Sequence, residues 1–381
     1  MQKSAKVIRL GVLGGGFGAA FYWHEHPNCV VEAVCDLLPE RREALMKTYQ
    51  CSKAYTSLNE MLADRNIDAV AVFSGAPSHV SHSVACMEAG KHVISAVPAA
   101  VSLEQAEELR AAVEETGQTY MMAETSYYRQ PMITARKLYE QGKFGELFYT
   151  QAEYFHPNPP GFISPIWTDG KGNKTWRYCL PPMYYPTHAT AFLIGLTGER
   201  LTKVMCLGFD DGTEPYHNNA WNNPYGSQVA LYKTDKSHIL RHAQIWRGAV
   251  RGCERAEWYG SRMSFFMDNP NGAGSVIVRT GDNTETDEGG FTRQLPDYEQ
   301  YDQPNYWETD MVPETMRHGG GHDGAETFLT HEFIDALIHD RKPTIDVYEA
   351  LAYTVPGIIA HHSSMAGGKE MDIPSFDRTG R

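Results

Sequence analysis

The sequence predicts an α/β protein of two domains: an N-terminal doubly wound parallel sheet, then an α+β domain built on a large, mostly antiparallel sheet. Three observations predict it. Strand-like and helix-like runs alternate with short connections up to about residue 123, the pattern of a parallel sheet covered on both faces. A glycine-rich turn stands directly after the first strand-like run. Beyond residue 147 strand-like runs dominate. A chain of 381 residues is long enough for two cores.

In the first part the strand-like runs are 7–13, 30–36, 69–73, 92–95 and 119–123, and the helix-like runs are 39–48, 57–63, 78–89 and 102–115. Gly90 ends the third helix after Met87-Glu88-Ala89, because glycine enters left-handed backbone at no steric cost. Ser102 and Gln105 form a capping box for the fourth. Residues 129–142 read as one more helix, and strand-like runs follow at 147–156, 203–209, 227–234, 238–247, 253–259 and 263–268. Segment 156–186 is rich in Pro, Gly and aromatic residues (Trp167, Trp176, Tyr178, Tyr184, Tyr185). Long loops in compact domains are usually functional or disordered, and the Trp and Tyr content of this one predicts an ordered pocket wall. Residues 281–323 read as irregular and end in His318-Gly-Gly-Gly-His322-Asp323, with two helices near 324–340 and 347–366.

The glycine turn carries the first chemistry. Gly14, Gly16 and Ala19 fit G-x-G-x-x-G/A after a strand, and Asp36 closes the second strand about 20 residues on. This is the fingerprint of a Rossmann dinucleotide site. Gly14 allows the tight turn, Gly16 lets a pyrophosphate approach, and Ala19 lets helix and strand pack closely. The following helix offers its free N–H groups to the phosphates. Asp36 accepts from ribose hydroxyls and repels a 2′-phosphate, which predicts NAD. The expected cofactor set is Gly14, Gly16, Phe17, Ala19, Asp36, Ser74, His79 and Pro98. Domain one is then 1–125 and binds NAD. Domain two, 126–381, binds substrate and a second copy, its last helix free to pack back on domain one, and a cleft is expected between them.

A net charge of −13 argues against nucleic acid or an anionic membrane as partner, and no apolar run reaches membrane-spanning length. The seven cysteines (29, 35, 51, 86, 179, 206, 253) show no C-x-x-C pair, so reduced thiols in a cytoplasm are expected. The 16 histidines show no metal-ligand spacing, and no metal is expected. The open face of a large second-domain sheet predicts a homo-oligomer, a dimer or tetramer.

Several short motifs stand in order along the chain: Gly11-Val-Leu-Gly14-Gly15-Gly16, Cys35-Asp36-Leu37-Leu38-Pro39-Glu40-Arg41, Ser74-Gly75-Ala76-Pro77-Ser78-His79, Ala89 to Val93, residues 142–146 and residues 368–374. Together they resemble the glucose–fructose oxidoreductase/inositol dehydrogenase superfamily (Gfo/Idh/MocA) over nearly the whole length. The resemblance implies a nicotinamide cofactor and a sugar or polyol substrate. One departure is large. Where the superfamily has Glu-Lys-Pro, with the lysine on nicotinamide ribose and substrate hydroxyl, this chain has Ala96-Val97-Pro98. Either the chain is inactive, another residue replaces the lysine, or the chemistry differs.

The superfamily's catalytic histidine falls at Tyr185-Pro186-Thr187-His188, but its flanking aspartates are replaced by Tyr184 and Ala191. With Met121-Met122-Ala123-Glu124 and His318-Gly319-Gly320, this resembles a narrower subset, NAD-dependent glycoside hydrolases such as α-N-acetylgalactosaminidases. Trp176-Arg177-Tyr178 has no counterpart aligned there. The resemblance implies a redox-neutral route: hydride leaves a sugar carbon, C3 by expectation, the ketone acidifies C2–H, the C1 group is eliminated, water adds and the hydride returns. His188 is the expected acid/base at the oxidised hydroxyl. Tyr185 is the base at C2 or the proton donor on return, helped by a nearby cation. Glu124, at a strand's C-terminal end, binds or deprotonates a sugar hydroxyl. Trp176, Arg177 and Tyr128 line the substrate.

Plainer readings stand beside these. Tyr185 and His188, three apart, also fit a packed pair on one helix face. Glu124 also fits an ion pair with Arg129 or a turn cap, and Trp176 and Arg177 fit ordinary aromatic packing. His79 is expected near the cofactor rather than in catalysis, and Arg251, Glu254, Arg255, Glu257 and Arg262 read as a solvated strand face. Three functions remain: an NAD-dependent glycoside hydrolase, an inositol-type sugar or polyol dehydrogenase, and a non-catalytic NAD-binding protein.

Overall fold

The computed structural model describes residues 6–158, 167–169, 171–210, 212, 216–248, 250–269 and 271–378. The chain forms two compact units, Met1–Arg129 with Asn305–Ile358 and Pro374–Arg381, and Gln130–Pro304 with Ile359–Ile373. This differs from a single cut at 125/126: residues 305–358 and 374–381 belong with the first unit.

In the first unit β1 (Ile8–Leu13), β2 (Cys29–Cys35), β3 (Ala54–Tyr55), β4 (Ala69–Val72), β5 (His92–Ser95) and β6 (Tyr120–Met122) form one parallel sheet in the order β3-β2-β1-β4-β5-β6. All four residues of β4, Ala-Val-Ala-Val, are buried, as a strand covered on both faces requires. Helices α1 (Pro39–Tyr49), α2 (Leu58–Leu62), α3 (His79–Glu88) and α4 (Leu103–Thr116) alternate with the strands as expected. Ser102 Oγ accepts from Gln105 N at 3.2 Å, while Gln105 Oε1 reaches Val101 N at 3.0 Å, one residue before the usual reciprocal contact.

The helix expected after the glycine turn is replaced by two 3-10 turns, Phe17–Ala20 and Trp23–Glu25. Aromatic packing and a buried phenol explain this. Phe21 stacks between Phe73 and Trp23 at 4.6 and 5.3 Å, and Tyr49 Oη donates to the carbonyls of Gly18 and Phe21. Those carbonyls are held by a side chain rather than by a continuing helix.

The second unit opens with α5 (Gln130–Glu140) and carries a nine-stranded sheet, with α6 (Thr187–Thr197) between its first two strands in sequence. The strands are β7 (Leu147–Asn158), β8 (Leu201–Asp210), β9 (Tyr225–Thr234), β10 (Ile239–Arg247), β11 (Cys253–Gly260), β12 (Met263–Phe266), β13 (Val276–Thr286), β14 (Thr292–Gln300) and β15 (Met371–Asp372). Their order is β14-β13-β12-β11-β7-β10-β9-β8-β15, antiparallel except for the β7–β10 pair. Trp258 of β11 donates to Phe192 O of α6 at 2.8 Å and fixes the helix on the inner face.

Two expectations fail here. Residues 281–323 are not irregular throughout, because β13 and β14 form a long hairpin. Its outer residues are exposed on both faces, so no apolar alternation betrays it. Arg293–Glu285 at 2.5 Å, Arg279–Glu299, and Thr286–Thr292 at 2.8 Å tie the strands instead. Nor is 251–262 a solvated face throughout: Arg251 and Arg262 are exposed, but residues 253–260 are not. Glu153 lies between Arg241 and Arg255, 3.3 Å from each, Arg255 reaches Glu257 at 2.6 Å, and Glu254 turns to the inner face with its side chain 7% exposed.

The outer face of β8 and β9 is apolar. Leu207 pairs with Val229 and Met205 with Leu231, and these four and Phe209 are exposed. Of the segment 156–186, residues 159–166 and 170 lie outside the described residues. The rest is ordered by a neighbouring turn: Trp221 Nε1 donates to Trp176 O at 3.0 Å, and buried Asn223 donates to Cys179 O at 3.1 Å. The chain then forms α7 (Gly321–Ile338), whose start is kinked by left-handed His322, Asp323 and Gly324, and α8 (Val347–Met365), within which the division between units falls. All seven cysteines are free thiols. No helix among the described residues is long and apolar enough to cross a membrane.

Candidate active site

The first unit holds the predicted cofactor residues. Gly14 N donates to Cys35 O at 2.8 Å, and its φ is +98°. A Cβ there would lie 2.3 Å from Phe73 O, so only glycine fits. Beside Gly16, by contrast, a Cβ would meet nothing within 4 Å. A closed turn with one open glycine flank is the cradle a pyrophosphate needs, and the residues fit NAD on that observation. The close-packing role belongs to Gly18 rather than Ala19: a Cβ on Gly18 would press Val12 and Phe73 at 3.1 Å, and with a 3-10 turn in place of a helix the register moves by one residue.

Asp36 does more than face a ribose. Its Oδ2 accepts from Gly15 N at 2.6 Å and its Oδ1 from Leu38 N at 2.9 Å. A carboxylate has lone pairs left for a ligand, but this one also holds the glycine turn. Phe17 packs edge-on to Phe21, Phe73 and His322. His79 is a buried staple, with Nδ1 2.8 Å from Pro98 O and Nε2 3.0 Å from Ser74 O. Two carbonyls face two ring nitrogens, so a neutral ring satisfies only one of them. Ser74 Oγ meets His82 Nδ1 at 2.9 Å.

Glu124 is fully buried and caps the 3-10 turn Thr125–Tyr128, accepting from Ser126 N at 2.8 Å. The cap predicted as its plainer role is therefore present. Tyr128 stacks on Phe328 at 5.6 Å, which spends one ring face on packing.

The second unit gathers the other predicted residues. A 3-10 turn, Pro182–Tyr184, delivers Tyr185 just before α6, with Pro186 at the helix start. Tyr185 is therefore off the helix, yet its ring lies 5.2 Å from that of His188. Two buried glutamines of the inner face fix this entry. Gln228 accepts from Met183 N at 3.0 Å, and Gln244 donates to Tyr185 O at 3.1 Å. Gln244 Oε1 faces His242 Nε2 at 2.7 Å. The amide oxygen can only accept, so Nε2 carries the proton, and burial holds His242 down at about 4.

Arg177 donates to Tyr185 Oη at 3.3 Å and lies over the rings of Trp176 and Tyr185, 4.4 and 5.0 Å from their centroids. The cation expected near Tyr185 is thus a residue that had been assigned only to substrate.

Sequence reasoning missed Tyr154, His156, Trp246 and Glu254. Tyr154 lies 4.8 Å from His188 and 6.1 Å from Tyr185, ring to ring. Trp246 lies 5.5 Å from Tyr154. Burial pushes His156, beside both, below its ordinary range. Glu254 Oε1 is 3.8 Å from His188 Nδ1, both side chains 7% exposed. In register Tyr154 stands opposite Gln244 on one side and Glu254 on the other. The parity of these strand positions was readable from sequence, but not which strands are neighbours.

Residues 8–124 match the family described as "Oxidoreductase family, NAD-binding Rossmann fold", and residues 277–380 match "Glycosyl hydrolase 109, C-terminal domain". A Bacteroides thetaiotaomicron protein named glycosyl hydrolase family 109 protein 1 is 31% identical, over 98% of this chain and 86% of its own. A family 109 protein of Streptomyces coelicolor is 25% identical, over 98% and 82%. Among solved structures, a levoglucosan dehydrogenase in complex with NADH and L-sorbose superposes with TM-score 0.77 at 15% identity, over 97% of this chain and 100% of that one. Myo-inositol 2-dehydrogenase from Lactobacillus plantarum gives 0.71 at 17%, over 97% and 100%. At such identities the two structures establish the fold.

Proposed function

The chain belongs to glycosyl hydrolase family 109 and is an NAD-dependent carbohydrate-active enzyme, and from that premise we propose that it hydrolyses glycosides by the redox-neutral route. The observation that carries this reading is Tyr185 beside both Arg177 and His188, in a chain that has Val97 where a dehydrogenase lysine is expected.

Bound NAD⁺ supplies a hydride acceptor at one sugar carbon, C3, and a donor when the hydride returns. Gly14, Gly16 and Asp36 would hold it, with Phe17, Ser74, His79 and Pro98 shaping the surrounding backbone. His188 takes the proton of the hydroxyl being oxidised and gives it back at the end. Tyr185 takes the C2 proton of the ketone. The Arg177 guanidinium stabilises the charge that develops on the phenol oxygen, because a charge-assisted donor is stronger than a neutral one. Loss of that proton expels the group at C1; water then adds at C1 and a proton returns to C2. Within the second unit Trp176 and Trp246 offer ring faces to the sugar.

The test is incubation with NAD⁺ and a panel of aryl glycosides in D₂O. Aglycone release without accumulating NADH, and deuterium at C2 of the product, support the proposal. Stoichiometric NADH from a free sugar would replace it with dehydrogenation, which needs His188 but not Tyr185 as base.

Two finer points belong to the same proposal. The exposed Met205, Leu207, Phe209, Val229 and Leu231 face is read as the contact with a second copy, as dimer or tetramer. Leu207→Lys should shift the sedimentation coefficient to that of a monomer; no shift would remove this face from the assembly. The free thiols support a reducing cytoplasm.

A further inference from the structure

His188 has no carboxylate on its own helix: Thr187, Ala189, Thr190 and Ala191 surround it in sequence, and Tyr184 precedes it. Yet a base that takes a proton in a buried place needs something to offset the charge it acquires. Glu254 offers this from another element. It comes from β11, its side chain is as buried as that of His188, and Oε1 stands 3.8 Å from Nδ1. That is ion-pair distance, longer than a hydrogen bond. The register explains why the contact is reliable: Glu254 lies opposite Tyr154, whose ring packs on His188.

We infer that Glu254 is the positioning residue for His188, orienting the imidazole through Nδ1 and stabilising its cationic form. This rests on the role proposed for His188. With NAD⁺ bound as the hydride acceptor, the proton of the substrate hydroxyl being oxidised would go to Nε2 of His188. Both ring nitrogens then carry protons, and Nδ1–H points at the carboxylate. Orienting a base by a third group is a general device of proton-transfer sites. The other titratable groups around His188 in this unit are Tyr185 on the preceding turn, Tyr154 and His156 of β7, and Arg177, which acts electrostatically on His156 together with His188. Of the groups named, Glu254 is the one that meets Nδ1 of His188 at ion-pair distance.

The test uses the NAD-loaded enzyme. The base must be neutral, and a neighbouring carboxylate favours its charged form. Removing the carboxylate in Glu254→Gln should therefore move the acidic limb of kcat/KM down by about one pH unit. kcat should fall about tenfold or more with KM little changed. Glu254→Asp should act in the same direction at smaller size and keeps the test alive if the glutamine variant does not fold. Independently of turnover, the His188 imidazole signal in an NMR titration, assigned by its loss in His188→Gln, should titrate at lower pH in either variant. An unchanged titration and pH profile in a folded variant would overturn the inference. If the wild type released no aglycone, the glycosidase reading would fail, while the same profile taken on sugar oxidation, and the NMR titration, would still decide the role of Glu254.

Discussion

The glycine turn and the Tyr185–His188 cluster are built by opposite means. The turn is local: Gly14, Gly15 and Asp36 lie within one strand–turn–strand passage, set by the Gly14 N to Cys35 O bond and by the bond from Gly15 N to the Asp36 carboxylate. The cluster is assembled: a loop residue, a helix residue and three sheet positions meet because β7 lies between β10 and β11. A local site is read by conformation, residue by residue. An assembled site is read only through strand order.

The largest effect should fall on the assembled cluster. His188→Ala should lower kcat/KM by about 10²- to 10⁴-fold, and Tyr185→Phe should suppress C2 deuterium exchange by about as much while sparing hydride transfer. Loss of both steps together in Tyr185→Phe would mean that the cluster acts as one packed unit.

The local turn should instead fail through its backbone. Gly14→Ala forces a Cβ against Phe73 O and should cost roughly 1–3 kcal/mol in urea unfolding, with NAD affinity lost in step. A stable variant that binds NAD normally would show that the turn has slack.

Acid should reach the assembled site through its support. His242 titrates at about 4 in the folded protein because it is buried, against about 6.5 unfolded. The unfolded chain then binds the extra proton first, so stability is full above about 6.5 and falls as the pH drops towards 4. At pH 5 this group alone should cost about 2 kcal/mol. The urea midpoint of His242→Gln should vary less between pH 7 and 5 than that of the wild type.

The smallest effect should be Asp36→Ala. It removes one acceptor from Gly15 and one from Leu38, costing about 1–2 kcal/mol, and should weaken NAD while relaxing discrimination against NADP. Unchanged preference would leave Asp36 as a purely structural brace.

The same contrast explains what the sequence disclosed. The parallel sheet was legible because its strands are apolar runs punctuated by glycine and capping residues. Gly14 and Asp36 were legible because spacing defines them, whereas the missing helix after Gly16 was hidden in the packing of Phe21, Phe73 and Tyr49. Tyr185 and His188 stand in one short recognisable run, and Arg177 stands out only by its aromatic neighbours Trp176 and Tyr178. Tyr154, Trp246 and Glu254 do not, since nothing local says that β11 will turn Glu254 inward beside His188. The β13–β14 hairpin escaped because polar residues on both faces leave no periodicity of two.

That hairpin also shapes one end of the sheet. A nine-stranded sheet ends in two rows of unpaired backbone groups, each a template for another chain. At one end β14 carries Pro296 amid Arg293, Asp297 and Glu299, which interrupts the ladder and sets charge against any copy approaching in register. At the other, β15 is two residues long and pairs with Lys203 and Val204 of β8, while Ser363 Oγ accepts from Cys206 N at 3.0 Å. Proline and charge at one end oppose lateral growth there, while the oily surface lies on the broad side of β8 and β9, away from the hairpin.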